Sequence, residues 1–296
     1  MNNEQLSIMA NRKGFIAALD QSGGSTPKAL AAYGIPEGSY PKDQMFVVMH
    51  QMRSRVMEAP TFTSEKILAA ILFENTMDSK IEGKYTADYL WEEKKIVPLL
   101  KIDKGLEDEK NGVRLMKNID GIDDLLKRAV ERHIFGTKER SVVNKADRAG
   151  IKAVVDQQFE LGKKVISYGL VPILEPEVTI SIPDKAEAEK YLLEFIEEDM
   201  KTLKPTDKIM IKVSLPSVVG FYDKLASDPH VVRVVALSGG YSLEDADKLL
   251  KKNKMMIASF SRALLQNLRY QQSDEQFDLE LKKAVDAIYD ASVNKI

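Results

Sequence analysis

The chain has 296 residues, of which 44% are hydrophobic and 30% charged, the balance of a globular protein rather than a disordered one. A formal charge of −2 sets up no broad field, so neither nucleic acid nor a membrane surface is an expected partner. Without cysteine there are no disulfides, thiolate metal sites or cysteine nucleophile, and His50, His133 and His230 lack zinc-site spacing.

The opening stretch "MNNEQLSIMANRKG" lacks the apolar core of a secretory signal, and no run reaches membrane-spanning length, so the expected location is the cytoplasm. The run "FIAALD" (15–20) predicts a buried strand. The Gly/Ser stretch after it, within "DQSGGSTPK" (20–28), offers Ser22, Ser25 and Lys28 to an anion. An amphipathic helix is predicted over 43–58, then strands "ILAAILFEN" (67–75) and "IVPLLKID" (96–103). The polar stretch "KGLEDEKNGVRLMKN" (104–118) reads as a surface loop.

A helix over 122–132 leads to "HIFGTKER" (133–140), the weakest strand because only its first residues are apolar. Helices over 152–164 and 187–203 flank the strand "VPILEPEV" (171–178). The strands "KIMIKVSL" (208–215), "VVRVVALS" (231–238) and "KMMIASFS" (254–261) follow, with a helix over 243–252 and a last one over 278–292.

Eight strands without polar alternation, separated by helices, predict a parallel sheet closed into a (β/α)₈ TIM barrel, class α/β. An open doubly wound sheet is the competitor, but its dinucleotide fingerprint G-x-G-x-x-G is missing. With no low-complexity linker, residues 1–296 are read as a single domain.

In such a barrel, chemistry sits at the C-terminal ends of the strands. Charged residues fall there: Asp20, Lys101 with Asp103, Lys138 with Arg140, Glu175 with Glu177, and Lys212. Lys212 lies inside an apolar run, and an ammonium buried without a partner costs several kcal/mol. Converging strand ends give each charge an opposite one. Each alone reads more simply as an ion-pair member, but a lysine with cations that disfavour its protonated form and a carboxylate acid/base are the parts of Schiff-base catalysis.

After the seventh strand, Ser238, Gly239 and Gly240 precede a helix, with Ser242 and Asp245 spaced as a capping box. After the eighth, Ser261 and Arg262 open another helix. Barrels often hold phosphate in these two loops. Together with the Gly/Ser stretch after the first strand, they suggest a bisphosphorylated carbon skeleton.

The chain resembles the class I fructose-1,6-bisphosphate aldolases of the short bacterial type. The resemblance runs through "GFIAALDQSGGS", "ILFENTM", "LLKIDKG", "VPILEPE", "IKVSLP", "LSGG" and "FSRAL". It implies metal-free, cofactor-free cleavage of fructose 1,6-bisphosphate into dihydroxyacetone phosphate and glyceraldehyde 3-phosphate. Lys212 would be the Schiff-base lysine, Glu175 the main acid/base with Glu177 beside it, and Asp20 the group handling the C4 hydroxyl. Lys101, Lys138 and Arg140 would line the cleft. Ser238, Gly239, Ser261 and Arg262 would hold the C1 phosphate, with Ser22, Ser25 and Lys101 near the C6 phosphate.

Three positions depart from the family's pattern: Gln21 stands for a glutamate, Glu139 for a tryptophan and Ala29 for an arginine. The chain ends "ASVNKI" instead of in a functional tyrosine, and Tyr289 is not expected to take that role. Homo-oligomerisation is compatible with all of this and derivable from none of it. The competing readings are another Schiff-base sugar-phosphate aldolase and a non-catalytic phosphosugar-binding barrel.

Overall fold

The computed structural model describes residues 2–22 and 24–296, so Gly23 of the first Gly/Ser stretch lies outside it. Eight parallel strands, numbered here in chain order, form the frame: β1 Phe15–Leu19, β2 Ile67–Leu72, β3 Val97–Lys101, β4 Gly136–Val143, β5 Val171–Val178, β6 Ile209–Ser214, β7 Val231–Leu237 and β8 Met256–Phe260. Each pairs with its sequence neighbour, and β8 returns to β1 with Ile16 opposite Ser259, closing a (β/α)₈ barrel. No described helix is long and apolar enough to cross a membrane.

Period-two alternation divides the apolar side chains into two cores. One set fills the barrel and includes Ile16, Ile71, Leu99, Ile173, Met210 and Val235. The other, larger set lies between the strands and the helices. Strands buried on both faces carry apolar residues at every position, which is why they read as unbroken runs.

Two stretches differ from the sequence reading. β4 starts at Gly136 and continues to Val143, three residues later at each end than "HIFGTKER", while His133 takes φ 57° in the turn before it. The run was hard to place because β4 turns Thr137, Glu139 and Ser141 toward the helical layer, all fully buried polar side chains. Within 104–118, Val113–Arg114 form a short strand antiparallel to Val142–Val143 at the end of β4, and Val113 and Met116 are buried. The rest of the segment is irregular and mostly exposed, so the surface loop is pinned to the fold at these points.

The helix Asn3–Asn11 was not evident in the sequence. Asn2 caps it by accepting from the backbone N–H groups of Glu4 and Gln5. Its Met9 is fully buried in the cluster that fills the barrel. Gln5 Nε2 donates to His133 O at 2.8 Å, and Arg233 of β7 donates to Met9 O at 2.9 Å and Arg12 O at 3.2 Å. The helix therefore seals the end where the strands begin, leaving the C-terminal end as the mouth. Met9→Ala opens a cavity in this seal and is expected to cost about 2–5 kcal/mol in urea unfolding. The Michaelis constant should stay unchanged, because the seal is at the far end from the strand termini.

Candidate active site

Along five strands the inward face changes character toward the C-terminal end. Ala18 is followed two residues later by Asp20, Leu99 by Lys101, Gly136 by Lys138, Ile173 by Glu175 and Met210 by Lys212. Register keeps these together: Lys101 lies opposite Lys138, and Glu175 opposite Arg140. The mouth thus collects charges that the apolar layer below would exclude.

The charges form a chain of pairs. Lys138 Nζ lies 2.7 Å from Asp20 Oδ2 and 2.8 Å from Glu175 Oε2, while Lys212 Nζ lies 3.0 Å from Glu175 Oε1. Beside them, Lys101 Nζ donates to Asp103 Oδ1 at 2.5 Å, and Asp103 Oδ2 accepts from the backbone N–H of Arg140 at 3.2 Å. Three ammoniums and three carboxylates are thereby buried together, each between 3% and 9% exposed. At the rim, Arg140 Nε meets Glu177 Oε2 at 2.6 Å. Asp103, which anchors Lys101, completes the set as a structural partner.

Pairing decides the protonation states. Burial alone would push the Asp20 carboxyl up, but the Lys138 and Lys212 charges overturn this and hold it far below the usual carboxylate range. Glu175 is lowered by the same two lysines against the same penalty. Burial works against the charge on Lys138, yet Asp20 and Glu175 raise it well above an ordinary lysine. Lys101 goes the other way: burial and Lys138 lower it more than Asp103 raises it.

The loops expected to take phosphate gather at the same mouth. Gly239 and Gly240 have φ of 60° and 114°, a turn that side chains rarely tolerate, and Ser238 before them is buried. A Cβ on Gly240 would lie 3.7 Å from Arg262 Nη2, so the guanidinium stands beside this turn. Ser242 caps the next helix by accepting from Asp245 N, as its spacing indicated. Gln21 Nε2 donates to Ser261 Oγ at 2.7 Å and ties the loop after β1 to that after β8.

After β1, Ser22 is half-buried, whereas Ser25 is exposed and turns its hydroxyl back to Ser22 O at 3.1 Å. Lys28 is exposed on the helix that follows. Tyr289 packs 6.0 Å from Lys66, just before β2 begins, and so lies far from the mouth.

Sequence reasoning overlooked Arg53, which is 1% exposed on the helix Met45–Glu58. Its signal was present: Met49, Met52, Val56 and Met57 mark the buried face, and Arg53 falls within it. Among the described residues, no group of three or more His, Asp or Glu side chains is placed to hold a metal ion.

Residues 2–204 match the family model "Fructose-bisphosphate aldolase class-I". Among solved structures, the fructose-bisphosphate aldolase of Plasmodium falciparum is similar with a TM-score of 0.78 at 18% identity, covering 99% of this chain and 94% of that one. A Corynebacterium glutamicum protein solved as a structural-genomics target gives a TM-score of 0.53 at 11% identity over 97% of this chain and 91% of its own.

Glu139 sits on the outer face of β4, between the neighbouring site residues Lys138 and Arg140. It is fully buried, with Oε2 accepting from Thr137 Oγ1 at 3.1 Å and Oε1 without a partner. Burial raises its carboxyl well above the usual range, so the folded protein holds a proton that the unfolded chain releases above about pH 4.5. Its contribution to stability is therefore full below that pH and lost as pH rises toward the folded value. Glu139→Gln removes the titration while keeping the shape. Urea midpoints of variant and parent should coincide near pH 4, with the variant pulling ahead by pH 8.

Proposed function

Because this chain belongs to the class-I fructose-bisphosphate aldolase family, we propose that Lys212 is its Schiff-base lysine and that the buried charges beside it move the protons. The protein is a metal-independent lyase of glycolysis, cleaving fructose 1,6-bisphosphate reversibly to dihydroxyacetone phosphate and glyceraldehyde 3-phosphate. The observation that carries the residue assignment is the 3.0 Å approach of Lys212 Nζ to Glu175 Oε1 at the mouth of the barrel.

Glu175 is placed to accept the proton that Lys212 sheds on attacking the C2 carbonyl. A second proton passes from nitrogen to oxygen as the carbinolamine forms, and Glu175 then returns the first to that hydroxyl, which leaves as water. The iminium so formed draws electrons from the C3–C4 bond. As that bond breaks, the C4 hydroxyl becomes strongly acidic, and even a carboxylate held as low as Asp20 accepts its proton. Lys138, 2.7 Å from Asp20 and 2.8 Å from Glu175, keeps both acids within reach of the same carbon skeleton. Protonation of the enamine at C3 and hydrolysis of the imine complete the turnover.

Ser238, Gly239, Ser261 and Arg262 are read as holding the C1 phosphate, and Ser22 and Lys101 as facing the C6 end. Ser25 contributes to that end only if its hydroxyl turns away from Ser22 O. Arg140 and Glu177 form the rim pair beside the cleft. Remote phosphate contacts supply position, holding C2 against the amine. Anion-suited loops on two sides of one lysine support a bisphosphate over the monophosphates of other Schiff-base aldolases. The glycolytic substrate supports a cytoplasmic location.

Incubation with dihydroxyacetone phosphate and borohydride is expected to leave the adduct on Lys212, with full activity in EDTA. Both Lys212→Met and Lys212→Arg should lose at least about 10³-fold in turnover, since a guanidinium stays protonated. An adduct on another lysine, or an active Lys212→Arg enzyme, rejects the assignment. Arg262→Ala should instead raise KM about 10-fold or more while sparing the covalent step.

A further inference from the structure

We propose that Gln21 is a positioning residue that makes the Ser261 hydroxyl a dedicated hydrogen-bond donor to phosphate, and that buried Arg53 fixes the direction of the Gln21 amide. This rests on reading Ser261 as a phosphate ligand.

The argument is one of donors and acceptors. Arg53 Nη1 donates to Thr76 Oγ1 at 2.6 Å, which sets the plane of the guanidinium. Its Nη2 donates to the backbone oxygen of Gln21 and lies 3.3 Å from the side-chain Oε1 of the same residue. A guanidinium has donors only, so the end of the amide that faces it must be the carbonyl. The NH₂ end is thereby turned to Ser261, whose Oγ accepts from it at 2.7 Å.

A serine hydroxyl has one hydrogen and two lone pairs. With a lone pair taken by the amide, the hydrogen is directed away from Gln21. A phosphate oxygen is an acceptor, so the polarity runs unbroken from Arg53 through Gln21 and Ser261 to the anion. Arg262 follows Ser261 directly and stands beside the Gly240 turn, so the relay ends in the same corner of the mouth as that turn.

Glutamate, the residue of the family's pattern here, reverses the relay. One carboxylate oxygen would face Arg53, and the other would draw the Ser261 hydrogen inward, beside a negative charge. The identity of residue 21 therefore decides whether Ser261 donates to phosphate or to the protein.

The test compares Gln21→Glu, Ser261→Ala and the double variant, reading KM and kcat for fructose 1,6-bisphosphate and competitive inhibition by inorganic phosphate. Gln21→Glu is expected to raise both KM and the phosphate inhibition constant about 10-fold, with kcat within about twofold. Ser261→Ala should weaken phosphate similarly, and the double variant should be less impaired than the product of the singles. If Ser261→Ala leaves phosphate inhibition untouched, the phosphate reading of Ser261 fails. If Ser261→Ala weakens phosphate while Gln21→Glu does not, or if the two effects multiply independently, the relay is wrong and the phosphate site stands.

Discussion

Everything at the mouth of this barrel depends on a buried alternation of charge: Asp20, Lys138, Glu175 and Lys212 in sequence, each within 3.0 Å of the next. None of these side chains has enough water to solvate it, so none is tolerable alone. Removing one member of a buried pair typically costs about 3–5 kcal/mol, because its partner is left charged and unmatched. The same dependence makes the group reactive. A change of charge at Lys212, as when its ammonium gives up a proton, is felt at once by Glu175 and through Lys138 by Asp20.

Stability and chemistry occupy different heights of one scaffold. Below, Ile16, Leu99, Ile173 and Met210 form an apolar filling, and Met9 of the first helix closes it from beneath. Above, two residues further along the same strands, the inward positions are ionised. Parallel strands bring this change to one end of the barrel, so residues as distant in sequence as Asp20 and Lys212 share a single electrostatic unit. The helical layer outside has its own, larger core, which lets the strand ends carry expensive groups.

The frame is readable in the sequence because strands buried on both faces leave continuous apolar runs, and these runs become the eight staves. β4 is the exception. Its outer face carries Thr137, Glu139 and Ser141, satisfied in part by local bonds such as Gln158 Nε2 to Ser141 Oγ at 3.0 Å, and no hydropathy pattern announces such a strand. The pairing of Val113–Arg114 with the end of β4 was hidden for a related reason, since a two-residue strand has no periodicity. Charged residues late in the strands were visible as a set. What remained hidden were a local turn, Ser25 folded back onto Ser22, and a contact between distant elements, Arg53 reaching Gln21 from a helix. Such a contact follows from how the helices settle on the barrel, and only the anomaly of an arginine in an apolar stripe hints at it.

The closed floor has a further consequence for traffic. A vessel stoppered at one end has a single doorway, and sugar, trioses and water must all use it. Traffic by way of the floor would have to cross the apolar filling of Ile16, Leu99, Ile173 and Met210. Entry and departure are thereby confined to the end where the strands terminate.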